Sequence, residues 1–186
     1  YSYGRRLVLV GITDSISVDS CSFLGKENAG NTTNHSSIYG SSNEAQGLTI
    51  KNSSFTDGGN YAVYLNSGNS SSSPTGLEIN NNTFTNTYNG IHAQYYDAVT
   101  IRGNTISGAY MVDKGIYLHY CDGANVIEDN RIYAPDMSNG LYLQSCRGTS
   151  GNEATIANNL ISVEDDGIAL YSYNYYQNVY YNTVKV

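Results

Sequence analysis

Short stretches of alternating apolar and polar residues, separated by polar turns, recur along the chain, and helical 3.6-residue periodicity is absent. The clearest stretch, Lys114-Gly115-Ile116-Tyr117-Leu118-His119-Tyr120-Cys121, returns 25 residues later as Asn139-Gly140-Leu141-Tyr142-Leu143-Gln144-Ser145-Cys146. Weaker copies are Tyr61-Ala62-Val63-Tyr64-Leu65-Asn66, Asn89-Gly90-Ile91-His92-Ala93-Gln94 and Asp166-Gly167-Ile168-Ala169-Leu170-Tyr171, with poorer ones at Ile38-Tyr39 and Val8-Leu9. Self-similarity at this period marks a repeat protein whose coils share one core and one surface.

A second pattern, apolar-x-x-Asn-x-apolar, lies between copies of the first. It reads Ile79-Asn82-Phe84, Ile101-Asn104-Ile106, Ile127-Asn130-Ile132, Ile156-Asn159-Ile161 and Val179-Asn182-Val184, with degenerate copies Val18-Cys21-Phe23 and Ile50-Ser53-Phe55. The intervals range from 22 residues (Ile79 to Ile101) to 32 (Val18 to Ile50), so strands keep register while turns vary in length. Each repeat is expected to hold a Gly-Ile-Tyr-Leu strand, a turn, a second strand, a tight bend at the Asn, and a third short strand. Asn suits that bend because it tolerates left-handed backbone angles and hydrogen-bonds locally. Stacked coil on coil, its amide can also pair with its own kind.

These ladders resemble the right-handed parallel β-helix, the pectate-lyase-like family, whose coils carry an asparagine ladder at the bend between second and third sheets. The resemblance covers the whole chain and implies an all-β, right-handed, single-stranded parallel solenoid of about seven coils, roughly 34 Å long at about 4.8 Å per coil. The expected organisation is a single domain over residues 1–186, either a segment of a longer chain or a subunit with uncapped ends. Segments 25–35, 66–76 and 147–153 read as loops leaving the solenoid because they are rich in Gly, Ser and Asn.

Composition narrows the partner. Charged residues make up 13% of the chain and its net charge is −7, with nine Lys and Arg scattered along it, which argues against a nucleic-acid partner. No apolar run approaches the roughly 20 residues of a membrane span, so membrane insertion is not expected. Nineteen Tyr and abundant Asn, Ser and Thr suit an extracellular or cell-surface β-protein. Asn31, Asn34, Asn52, Asn69 and Asn81 begin glycosylation sequons, which matter only in a host that uses them. Three Cys form no zinc or redox signature, and neither metal nor cofactor is expected. Cys121 and Cys146, one coil apart, admit either a packed ladder of free thiols or a disulfide.

Alternation points Ile116 and Leu118 inward and Tyr117 and His119 outward. Applied to every coil, it gives an exposed file of Tyr39, Tyr64, His92, Tyr117, Tyr142 and Ala169, and beside it Asn66, Gln94, His119, Gln144 and Tyr171. Flat rings flanked by amides suit polysaccharide binding, acidic polysaccharides included, since rings cover the apolar faces of sugars and amides pair with hydroxyls. Stacked Tyr can equally serve only to stabilise a sheet. Enzymes of the resembled family cleave or epimerise uronic-acid polymers by proton abstraction, so the resemblance implies His119 or Tyr117 as base and Arg147 or Lys114 as the cation that holds the carboxylate. The dense Asp cluster of pectate lyases and the paired Asp of polygalacturonases are missing. The alternatives are a structural or adhesive segment of a surface protein, and a subunit that stacks end to end through open coils.

Overall fold

In a computed structural model that describes residues 6–11, 14–25, 35–43, 45–68 and 73–186, the chain winds into a parallel β-helix with no helical segment among those residues. The first sheet holds Leu7–Gly11, Ser36–Asn43, Tyr61–Asn66, Asn89–Gln94, Lys114–His119, Asn139–Gln144 and Asp166–Tyr171. The second holds Ser17–Asp19, Thr49–Lys51, Glu78–Asn80, Thr100–Arg102, Val126–Glu128, Ala154–Ala157 and Gln177–Tyr180. The third holds Ser22–Leu24, Ser54–Thr56, Thr83–Thr85, Thr105–Ser107, Arg131–Tyr133, Leu160–Ser162 and Thr183–Lys185. Each sheet therefore has seven strands joined by six parallel steps, about 29 Å in all at ~4.8 Å per step.

One apolar core runs the length of the solenoid. The first sheet contributes Ile91, Ile116 and Leu141, the second Ile79, Ile101 and Ile127, the third Phe84, Ile106 and Ile132, all buried. Like stacks on like: Phe23, Phe55 and Phe84 lie face to face at 4.8 and 4.9 Å. The recurrent Gly before each first-sheet Ile is a packing requirement. A Cβ on Gly140 would lie 2.5 Å from Ile161 Cγ2 and 2.6 Å from the Gly167 carbonyl oxygen, and Gly90, Gly115 and Gly167 are equally crowded. Their missing side chains let first and third sheets close on each other.

The bend between second and third sheets divides its work between two residues. The left-handed angle falls on the residue before each ladder position: Ser20, Asn52, Asn81, Gly103, Asp129, Asn158 and Tyr181 all have φ between 51° and 63°. The Asn itself supplies hydrogen bonds, which corrects the expectation that one residue does both. Asn104 Oδ1 accepts from the Asn82 backbone N–H at 2.9 Å and from Asn82 Nδ2 at 3.1 Å, while Asn104 Nδ2 donates to the Ile79 carbonyl at 2.7 Å and to Asn130 Oδ1 at 3.0 Å. The pattern repeats through Asn130, Asn159 and Asn182. Towards the first rung it passes to Ser53, whose N–H donates to Asn82 Oδ1 and whose hydroxyl accepts from the Cys21 N–H.

The two ends differ. Leu9 and Val18 of the first rung are buried, whereas Leu170, Val179 and Val184 of the last are 42%, 45% and 45% exposed. Of the expected loops, 147–153 leaves the solenoid through a turn bridged between Thr149 and Asn152. Most of 25–35 and the serine run of 66–76 lie outside the described residues, as do the sequons at Asn31, Asn34 and Asn69. Cys121 and Cys146 are buried free thiols, bonded to the Ala93 and Leu118 carbonyl oxygens of the preceding rung.

The ladder makes one residue accountable. Asn130→Ala removes donors and acceptors that serve the rungs on both sides, and should lower stability by about 1–3 kcal/mol through unsatisfied buried groups. Chemical denaturation checks this; an unchanged midpoint would show that the ladder carries no stability.

Candidate functional site

The outward face of the first sheet carries the aromatic file. Parallel pairing aligns Tyr39, Tyr64, His92, Tyr117, Tyr142 and Ala169, and beside them Asn66, Gln94, His119, Gln144 and Tyr171. Ring centroids run 5.5 Å from Tyr39 to Tyr64, 4.9 Å to His92, 4.5 Å to Tyr117 and 5.3 Å to Tyr142, with Tyr171 6.0 Å further on. The amides are tied into the same surface: Asn66 Nδ2 donates to Gln94 Oε1 at 3.2 Å, and Tyr117 Oη donates to Gln144 Oε1 at 2.7 Å.

His92 departs from the sequence reading, which placed it on an exposed file. It is 6% exposed, with Tyr64 tilted against it at 4.9 Å and the Tyr117 and Tyr61 rings edge-on at 4.5 and 5.5 Å. The larger neighbouring tyrosines close over the smaller imidazole, and neither ring nitrogen finds a hydrogen-bond partner. Burial, reinforced by His119 and Lys114, pushes its pKa down to about 3; Gln94 opposes the shift but lies outside hydrogen-bond geometry. Burial likewise raises the Tyr61 phenol to about 12 and holds Tyr117 and Tyr142 above their ordinary value, so these rings stay neutral and hydroxylated.

Of the four residues singled out for catalysis, Tyr117, His119 and Lys114 share one strand, with the Lys114 ammonium over the Tyr117 ring, and Arg147 lies on a turn in the next rung. Tyr117 and His119 are neighbours, with centroids 5.7 Å apart, and burial lowers the His119 pKa, leaving a neutral imidazole at neutral pH. Lys114 stands at the opposite end of the same strand, five residues and about 16 Å away. Its ammonium pairs with Asp113 and lies 5.5 and 5.2 Å from the Tyr117 and Tyr142 ring centroids. Arg147 sits on the turn after the first sheet and grips Asp122 through Nη2 at 2.7 Å and Nε at 3.2 Å. Among the described residues no three His, Cys, Asp or Glu side chains converge as metal ligands would.

A family model described as the right handed beta helix region matches residues 36–186. The chain belongs to the right-handed β-helix family. No curated protein and no solved structure matches the chain. Within this β-helix the family match fixes the scaffold, and any particular chemistry rests on the side chains of its surface.

Two features of this β-helix were passed over in the sequence. Tyr95 and Tyr120, each just after a first-sheet strand, have φ of 58° and 50°. Their rings stack at 5.3 Å and 4° on one another, with His119 4.2 Å from Tyr120. Three other rungs place Ser42, Ser145 and Ser172 in the left-handed region at this turn, and the first and third rungs turn with positive φ at Gly11 and Gly68. The second feature is a groove of about 330 Å³ lined by Tyr120, Ser145, Arg147, Tyr173 and Tyr175. The 25-residue alignment that found the Tyr file also aligns Tyr95, Tyr120 and Ser145, so the bulky outliers were visible as a mismatch in residue size.

The buried imidazole gives a pH signature. With a folded pKa of about 3 and an ordinary value near 6.5, His92 binds a proton more readily when unfolded, so its contribution is full above pH 6.5 and is lost as pH falls towards 3. Between pH 6.5 and 5 the loss should be on the order of 1.5 kcal/mol. In His92→Phe, which keeps an aromatic ring in the file, that portion of the slope should vanish. Denaturation at the two pH values compares them, and equal slopes would mean that the imidazole is hydrated and titrates normally.

Proposed function

We propose that this β-helix is an extracellular or cell-surface module that engages polysaccharide along the outward face of its first sheet. The observation that carries the reading is the continuous row of rings from Tyr39 to Tyr142 and Tyr171, edged by Asn66, Gln94, His119 and Gln144. Rings held one rung apart offer repeated apolar plates to the faces of successive sugars, and the amides beside them offer donors and acceptors for hydroxyls. A polymer lying along the solenoid axis meets rings at successive rungs, interrupted where His92 is covered by its neighbours.

The arrangement favours binding without turnover. His119 is neutral and suited to accept a proton, but both Lys114 and Arg147 already hold carboxylates. Proton abstraction beside a sugar carboxylate needs a cation that stabilises the developing charge at that spot. Lyase or epimerase action on uronates is therefore not the function proposed.

For the 186-residue chain by itself, end-to-end association is a second reading, since that chain leaves the apolar Leu170, Val179 and Val184 of its last rung exposed. Head-to-tail growth requires a matching open face, and Leu9 and Val18 are already covered in the first rung. Sedimentation at about 100 µM decides it: concentration-dependent association that Val179→Lys abolishes would support stacking, and a monomer throughout would remove it.

The binding reading stands or falls with the row of rings. Tyr117→Ala combined with Tyr142→Ala should reduce retention on immobilised polysaccharide at least about tenfold, the loss of roughly 1.4 kcal/mol, while far-ultraviolet circular dichroism stays unchanged. Retention equal to that of the unmodified protein would place sugar binding elsewhere or nowhere.

A further inference from the structure

The charges around the file indicate what kind of polysaccharide it takes. Of the described cations, Lys114 lies on the outward face of the first sheet and Arg147 on the turn beyond it. Lys114 is neutralised by Asp113, and Arg147 by the two-point grip on Asp122, with Asp97 nearby adding further negative charge. The remaining described cations face elsewhere. Arg102 pairs with Glu128 and Lys51 with Asp19 on the second sheet, Arg131 and Lys185 belong to the third, and Arg6 donates to the Leu24 carbonyl and to Ser37. Among the described residues, a polyanion approaching a chain of net charge −7 would find no unpaired Lys or Arg on this face to offset desolvation of its carboxylates.

What the face does offer is flat rings and mixed donors and acceptors. The plates at Tyr95 and Tyr120 are built against local preference. A left-handed backbone is costly for any side chain with a Cβ and is tolerated best by small polar residues, the type found at this turn in three other rungs as Ser42, Ser145 and Ser172. Tyr176 and Tyr181 share this conformation, and what sets Tyr95 and Tyr120 apart is that they follow the first sheet in adjacent rungs and their rings stack into one block. From Tyr120 the surface passes into the groove with Ser145, Arg147, Tyr173 and Tyr175, where three phenols flank an Arg–Asp pair. Such a pair presents N–H donors and carboxylate acceptors together, and a sugar diol, itself both donor and acceptor, answers that arrangement better than a carboxylate does.

We propose that the ligand is an uncharged polysaccharide, packed against the exposed side of the Tyr95–Tyr120 stack and held in the groove between Tyr120 and Tyr175. This rests on the carbohydrate reading above and sharpens it, since the resemblance of the chain to uronate-cleaving enzymes points to the opposite charge class.

Affinity electrophoresis of the full chain through gels containing a neutral glucan, galactomannan or xylan, and through gels containing polygalacturonate or alginate, tests it. The expected result is retardation by at least one neutral polymer, changing less than about twofold between 0.05 and 0.5 M NaCl, and no retardation by the uronates. Tyr120→Ser, which installs the residue that other rungs use at this turn, should weaken neutral binding at least about tenfold while leaving the melting temperature equal or higher, because it removes a plate and relieves the backbone. Tyr173→Ala with Tyr175→Ala should weaken binding similarly. Retardation by a uronate that fades with salt would overturn the uncharged-ligand proposal and leave carbohydrate binding standing. Absence of retardation by every polymer would overturn both. Unchanged neutral binding in Tyr120→Ser would remove the stacked tyrosines and the groove from the site.

Discussion

Every surface position on this protein inherits its place from the stacking of identical backbone on identical backbone, and the asparagine ladder locks that stacking. At Asn104, Asn130 and Asn159 the Oδ1 accepts two bonds from the rung before, while the amide reaches the next Asn and a carbonyl of the second sheet. A slip of one residue would leave these buried groups unpaired and turn the inward Ile row towards solvent. Register is thus held at the bend, by side chains, as well as along the sheets by the backbone.

Because the bend is rigid, the other turns are free to vary. Intervals between ladder residues change from rung to rung, yet the first-sheet strands stay aligned residue for residue. The variable turn after the first sheet is where the unusual residues collect: tyrosines in left-handed conformation, the Arg147–Asp122 pair and the groove beside them. A regular scaffold with local irregularity at one corner is the arrangement by which repeat proteins carry binding surfaces.

Electrostatics on this face follow from burial more than from charge. Tyr61, Tyr117 and Tyr142 are held in the neutral form by desolvation, His92 is sealed among rings as an uncharged imidazole, and His119 is pushed the same way. Lys114 spends its charge on Asp113 and on the faces of two tyrosines. The outcome is an aromatic surface of low net charge on an acidic protein, a combination that suits partners recognised by shape and hydroxyls.

The period of the Gly-Ile-Tyr-Leu and apolar-Asn-apolar patterns was enough to establish a parallel solenoid, its register and the membership of both outward files. In a stack, position along the repeat is position in space, so aligned residues such as Tyr117 and Tyr142 must be neighbours. What the repeat could not decide was anything that depends on the relative size of neighbours or on their partners. His92 occupies an outward position like Tyr64 and Tyr117, but it is shorter than both, and they close over it. Lys114 and Arg147 read alike as cations in the sequence, and only the fold shows the carboxylates that hold them. The ladder Asn carried both roles of the bend in the sequence reading, whereas the fold moves the left-handed angle one residue earlier and leaves the Asn to bond the rung before. Tyr95, Tyr120, Tyr173 and Tyr175 acquire a common meaning only when the turn brings their rings to one corner, because a pattern within a strand says nothing of how the chain leaves it.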